Sequence, residues 1–153
     1  MCADKDNHRP GLIWSILTSR CSRCRRGKMF LHTNPYDLKN LMKMPENCPV
    51  CGQHFEIEVG FYYGTSFVSY TLAVIVCAVS FIAWKLFIGM SLSDNRLFWW
   101  LGTNAILLVV LQPVLMRISR TIWLNFFVFY DPEWKNSRPL TPERTNPDLK
   151  NDW

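Results

Sequence analysis

The chain of 153 residues has room for about one ordinary domain, and its net charge is +5. Its mean hydropathy of +0.01 averages a polar N-terminal third, a very apolar stretch from Phe61 to Tyr130 and a polar tail. A secreted disulfide framework is excluded, because four of the six cysteines form two C-x-x-C pairs and Cys77 lies in an apolar run.

The basic excess, with nine of the 17 Lys and Arg in the N-terminal part, fits nucleic acid or the positive-inside bias of a membrane protein. With two candidate spans in the chain, the membrane reading takes precedence. Residues 1–17 form a polar tail followed by a short apolar segment, Gly11 to Leu17. No small-x-small cleavage site follows, so the segment is not read as a signal peptide. A short helix is expected, packed on the next domain or lying in the membrane interface.

Residues 18–58 hold Cys21-Ser22-Arg23-Cys24 and Cys48-Pro49-Val50-Cys51-Gly52. Two C-x-x-C knuckles at this separation can close a tetrahedral site around one zinc ion, and four thiolates leave no open position for water. A structural zinc held by Cys21, Cys24, Cys48 and Cys51 is therefore expected. It would staple a segment too short for a robust core of its own. Gly52 supplies the left-handed position after the second knuckle, whereas in the first the glycine is displaced to Gly27. The expected fold class is a small zinc ribbon of short β-hairpins followed by a two-helix transmembrane hairpin, mainly α in its membrane part. Within the ribbon, Leu38, Leu41 and Met42 recur at helical spacing, and Gln53 to Gly60 alternates like a strand. His32 and His54 are read as surface or outer groups, because the cysteine set is already complete.

Arg20, Arg23, Arg25, Arg26 and Lys28 cluster at the first knuckle. So close to the membrane entry, Arg23, Arg25, Arg26 and Lys28 are expected to meet lipid headgroups or an acidic partner; nucleic acid is not expected.

Phe61-Tyr62-Tyr63-Gly64 is an aromatic membrane entry, and residues 63–88 form the first span, with Lys85 placed to snorkel. A short polar loop leads to the second span, residues 97–116, so the two are antiparallel neighbours. Asn104 and Gln112 fall about 80° apart on that helix. They are expected to make an intramembrane helix contact. Arg117 and Arg120 mark the exit. Residues 117–130 stay apolar and are expected to continue the helix along the interface. The Pro-rich residues 131–153 are expected to be disordered.

Cys21-x-x-Cys24-x-x-Gly27-x-x-Phe30, then Cys48-Pro49-x-Cys51-Gly52-x-x-Phe55, then a Glu/Gly/Tyr stretch and two spans, resembles the bacterial membrane proteins called domain of unknown function 983. Glu56 to Gly64 looks like the version found in Bacteroidetes-type bacteria. The likeness covers about Thr18 to Phe127 and departs from the family at Ser22 and Arg25, where Pro and Gly are frequent. It implies the topology and the zinc and leaves the activity open.

Glu56 and Glu58 share a strand face, but no set of titratable residues converges on a catalytic role, so the chain is not expected to be an enzyme. The expected function is an interaction or membrane-complex assembly module in the bacterial inner membrane. Both termini are expected in the cytoplasm, where thiols stay reduced. Its partners would be membrane lipid and another membrane protein or a second copy. The rival is a membrane-bound thiol redox protein or enzyme using the C-x-x-C pairs.

Overall fold

The computed structural model describes residues 11–58, 60–89 and 95–141. The polar residues before Gly11, most of the connecting loop and the disorder expected for 142–153 lie outside the described residues. Three α-helices run in the order α1, Leu12–Leu17; α2, Thr65–Phe87; and α3, Arg96–Phe127. A 3-10 turn, Phe61–Gly64, leads directly into α2.

The two long helices are long and apolar enough to cross a membrane. At 1.5 Å per residue, α2 spans about 35 Å and α3 about 48 Å, against a hydrocarbon thickness of about 30 Å. No residue of α2 is buried. Hydroxyl groups turn back onto the helix: Thr71 donates to the Phe67 carbonyl and Thr103 to the Trp99 carbonyl. In a low-dielectric surrounding such groups need an internal acceptor. Gly89, at φ 76, follows the last turn of α2 in the left-handed conformation that commonly ends helices. Between the helices, Phe81 and Trp100 meet edge to face with centroids 5.2 Å apart.

Residues 117–130 were expected to continue the second helix along the interface. The helix does continue, α3 running unbroken through Pro113 to Phe127, and its second half packs under the cysteine domain. Leu115, Arg117, Ser119, Arg120, Thr121 and Leu124 are buried. Ser119 meets Ser69 of α2, while on the opposite side Arg117, Thr121, Leu124 and Val128 recur every three or four residues and so share one helix face. That face needs a protein cover, and residues 20–58 supply it.

The cover is built from turns. Among the described residues there is no strand, so the predicted short hairpins are replaced by two isolated antiparallel bridges, Arg20 with Lys28 and Asn47 with His54. Each bridge closes one knuckle. The helical spacing of Leu38, Leu41 and Met42 yields successive turns, with the Asn40 amide donating to the Asp37 carbonyl. Of the strand predicted after the second knuckle, His54 keeps its bridge to Asn47, and Glu58 is also in a bridge. Arg117 anchors the turns of the insert: its guanidinium donates to the carbonyls of Leu41, Thr33 and Asn34. Met29, Phe30, Phe55, Tyr62, Leu124 and Val128 form one core with the cysteines. The Tyr62 hydroxyl donates to the Phe55 carbonyl at 2.7 Å, tying the membrane entry to the second knuckle.

The tail also departs from expectation, because the disorder predicted for 131–153 does not extend over 131–141. The Asp131 amide donates to the Arg23 carbonyl. Leu140 and Gln53 exchange two bonds, amide to Gln53 Oε1 at 3.0 Å and Gln53 Nε2 to the Leu140 carbonyl at 3.3 Å. Helix α1 buries only Ser15 and leaves Leu12, Ile13, Trp14 and Leu17 exposed.

Candidate metal centre

The four sulfurs of Cys21, Cys24, Cys48 and Cys51 lie within 4.8 Å of one another, and the first three residues are buried. Cys21 Sγ is 3.7 Å from Cys51 Sγ, and Cys24 Sγ is 3.7 Å from Cys48 Sγ. A disulfide needs about 2.05 Å, so these are not covalent pairs. Zn–S bonds of about 2.3 Å arranged tetrahedrally put neighbouring sulfurs about 3.8 Å apart. Two opposite edges of the sulfur cluster match that length, so the residues fit a Cys₄ metal site. His32 and His54 are not among the converging ligands.

Local backbone chemistry places each thiol. The Cys21 amide donates to the Gly27 carbonyl, and the Cys48 amide to the Gln53 carbonyl, closing both loops at 2.8 Å. The Gly27 amide in turn points at Cys24 Sγ, 3.5 Å away. In the second knuckle Gly52 takes the left-handed position at φ 70, as the sequence predicts. In the first, Arg25 takes it instead at φ 54. Its guanidinium lies 4.3 Å above the Tyr130 ring, a cation–π contact that helps hold a non-glycine residue there. Gly27 answers a different demand: a Cβ at that position would sit 2.2 Å from Cys48 Sγ.

Four thiols this close cannot all ionise unless a cation joins them. Held among themselves they divide into donors and acceptors. Cys21 is pushed up, most by hydrogen bonding with the neighbouring Cys24 sulfur and next by Cys48. Cys24 is pushed down, chiefly because Cys21 donates to it. Cys48 is lowered to about 7, again first by Cys21. Cys51 is lowered by Cys21 but raised by more through Cys24, Cys48 and burial. Such a cluster gains from a divalent cation, which replaces shared protons with one central charge.

The basic residues of the first knuckle do not act as one outward patch. Arg23 is 4% exposed and turns inward. It donates to the Cys51 carbonyl, the Ser137 carbonyl and the Ser137 hydroxyl, and pairs with Asp131 at 3.5 Å. Arg25 sits over Tyr130 and Arg26 is half-buried, with its carbonyl accepting from Arg20. Lys28 alone of the four is exposed, within reach of the Thr33 hydroxyl at 3.4 Å. Their shared spacing in sequence is broken because the tail, absent from any local reading, claims Arg23 and Arg25.

Asn104 and Gln112, expected on one broad face, are separated. Asn104 is buried in the α2–α3 seam, where its Oδ1 accepts from Ser80 at 2.8 Å and its Nδ2 approaches Cys77 Sγ at 3.2 Å. Gln112 is exposed beside Leu38 and Leu41. The seam is narrower than the angle between the two amides. Cys77, read from the sequence as a small apolar packing residue, is thus an acceptor. Sequence reasoning missed Gln53 and the anchoring role of Arg117. Both are buried polar side chains whose partners lie far along the chain, and only the lone Gln53 just after Gly52 offered any signal.

A family model described as Protein of unknown function (DUF983) matches residues 38–128, more than half of the chain. The match takes in the second knuckle, both long helices and the buried end of α3, and it begins after the first knuckle. No curated protein and no solved structure matches the chain.

Proposed function

The chain belongs to the DUF983 family of proteins of unknown function, and from that premise we propose that it is a two-span protein of the bacterial inner membrane carrying a structural zinc. In this reading Cys21, Cys24, Cys48 and Cys51 hold the ion as thiolates. The zinc locks the two knuckles together, and the locked domain caps the end of α3 as an interaction or assembly module. No catalytic role is proposed. Four protein ligands would fill a tetrahedral zinc, so neither water nor substrate reaches it.

One observation carries the reading: both recorded close sulfur contacts, at 3.7 Å, cross from one knuckle to the other. A redox C-x-x-C works within its own pair. Here each thiol also meets one from the opposite knuckle, at the spacing of a shared ion. Both termini are placed in the cytoplasm, because thiolate sites persist where thiols are kept reduced and the basic residues concentrate at that end. The outward faces of α2 and α3 would meet lipid, another membrane protein or a second copy.

The test is zinc content with thiol accessibility on the full-length protein in detergent, against Cys48→Ser. One zinc per chain with protected thiols, and loss of both in the variant, is the expected result. Metal-free protein whose thiols oxidise reversibly within each pair would overturn the proposal and put the thiol redox reading in its place.

A further inference from the structure

A second feature of the molecule is a crevice of ≈ 370 Å³ between α1, the first knuckle and α3. Three cationic side chains line it: Arg20, Lys28 and Arg117. Among the described residues none of the three has a carboxylate partner within ion-pair distance. Arg20 donates to the Arg26 carbonyl, Lys28 to the Thr33 hydroxyl, and Arg117 to three backbone carbonyls. Carbonyls satisfy donor geometry without forming an ion pair, and Arg117, 6% exposed, has the Phe30 ring 4.8 Å from its guanidinium and the Asp37 carboxylate acting on it only from beyond ion-pair distance. His32 also lines the crevice, and no acidic residue does.

The other walls are apolar. Leu17, Val114 and Ile118 line the same crevice, and Val114 stands just before the end of the apolar run of α3. Beside it, α1 exposes Ile13 and Trp14 at 74% and 63%. An exposed tryptophan next to basic residues, at the end of a span-length helix, is the side-chain pattern of headgroup depth. The crevice thus combines three cationic side chains that have no ion-pair partner among the described residues with an apolar wall from Leu17, Val114 and Ile118. A volume in the range of small-ligand sites suits one headgroup with the start of its chains.

We propose that this crevice binds the headgroup of a single anionic phospholipid. Arg20 and Lys28 would meet its phosphate above Arg117, and its acyl chain would lie along Val114 and Ile118. The proposal rests on the membrane reading above and deepens it. A bound lipid would fasten α1 and the first knuckle to α3, adding a ligand to the staple the cysteines provide.

The test uses full-length protein in mixed micelles, with lipid retention counted by native mass spectrometry. The probes are dioleoyl phosphatidylglycerol, dioleoyl phosphatidylcholine and inorganic phosphate. Phosphatidylglycerol should be retained at least about ten-fold better than phosphatidylcholine, given the attraction of each basic side chain for an anionic headgroup. R20Q/K28Q should weaken its retention by about ten-fold or more, and K28Q alone by a few-fold. K39Q/K43Q, an equal charge loss outside the crevice, should leave retention unchanged. Equal retention of the two lipids, or full retention by R20Q/K28Q, would overturn the proposal. Displacement of phosphatidylglycerol by millimolar inorganic phosphate would overturn it too, because the site would then serve a free anion. Zinc content and membrane fractionation of the same preparations report separately on the metal and on the spans. A variant that keeps both and loses the lipid therefore speaks for the crevice alone.

Discussion

Gly27 lies so close to Cys48 that a Cβ on it would stand 2.2 Å from the sulfur, with Val50 next at 3.5 Å. The neighbour at risk is a ligand sulfur, which cannot move without leaving the cluster. Gly27→Ala should therefore cost the metal site several-fold to a hundred-fold in zinc affinity, by competition with a chromophoric chelator. Gly52→Ala, where the only obstacle is φ 70 in open space, should cost about 1 kcal/mol of stability and keep the zinc. Equal zinc affinity in Gly27→Ala and the wild type would refute the steric account.

Arg23 fastens the tail to the second knuckle, so Arg23→Gln should release residues 131–141 and leave the cysteine cluster intact. Limited proteolysis should then cut this segment on the order of ten-fold faster, reflecting loss of charge-assisted bonds. Zinc content should not change. The pH dependence follows from Asp131, whose carboxyl is held below its usual range first by the Ser137 hydroxyl and further by the Glu133 amide and Arg23. A lowered carboxylate pKa gives stability that is complete above the ordinary value and lost as pH falls through the lowered one. Tail protection should accordingly be flat between about pH 6 and 8, and Asp131→Asn should reduce it equally across that window.

Asn104 closes the α2–α3 seam through Ser80 and Cys77. Asn104→Leu should destabilise the hairpin by about 1 kcal/mol or less, the usual worth of a single polar contact between apolar helices. The corresponding measurement is reversible unfolding in mixed micelles with Ser80→Ala as the second arm of a double-mutant cycle. Gln112→Leu, on an exposed position, should be neutral. A loss at Gln112 as large as at Asn104 would contradict this assignment of the two amides.

Gly64 meets Trp123 across the membrane entry, where a Cβ would lie 2.1 Å from the indole ring. Trp123 is itself fixed, because its Nε1 donates to the Phe61 carbonyl at 2.7 Å. Gly64→Ala should push the 3-10 turn off α3 and destabilise the fold by about 1–3 kcal/mol, as overpacking does. Replacing the ring in Gly64→Ala/Trp123→Leu should restore part of that loss. Thermal unfolding followed by tryptophan fluorescence reads both.

The four cysteines that converge and the presence of two span-length apolar helices were legible in the sequence because each is a local pattern. A C-x-x-C turn is set by four consecutive residues, and a span by about twenty apolar ones. The left-handed position at Gly52 is equally local. The turns of the insert were not legible because their anchor is tertiary: Arg117, far along the chain, donates to the carbonyls of Thr33, Asn34 and Leu41. The tail was misread for the same kind of reason, since its Pro-rich composition hides Asp131, Ser137 and Leu140 as partners for Arg23 and Gln53.

The sequence by itself determined the chemistry available: four soft ligands, two span-length apolar helices and an excess of positive charge. Tertiary structure decided how these are used. It showed that Gly27 is needed for the space beside Cys48, that Arg23 faces inward, and that one face of the far end of α3 joins the core of the cysteine domain. The physical reason is that composition and periodicity report what a residue can pair with. Only the folded chain sets which buried donor meets which acceptor, because those partners lie as far as 114 positions apart.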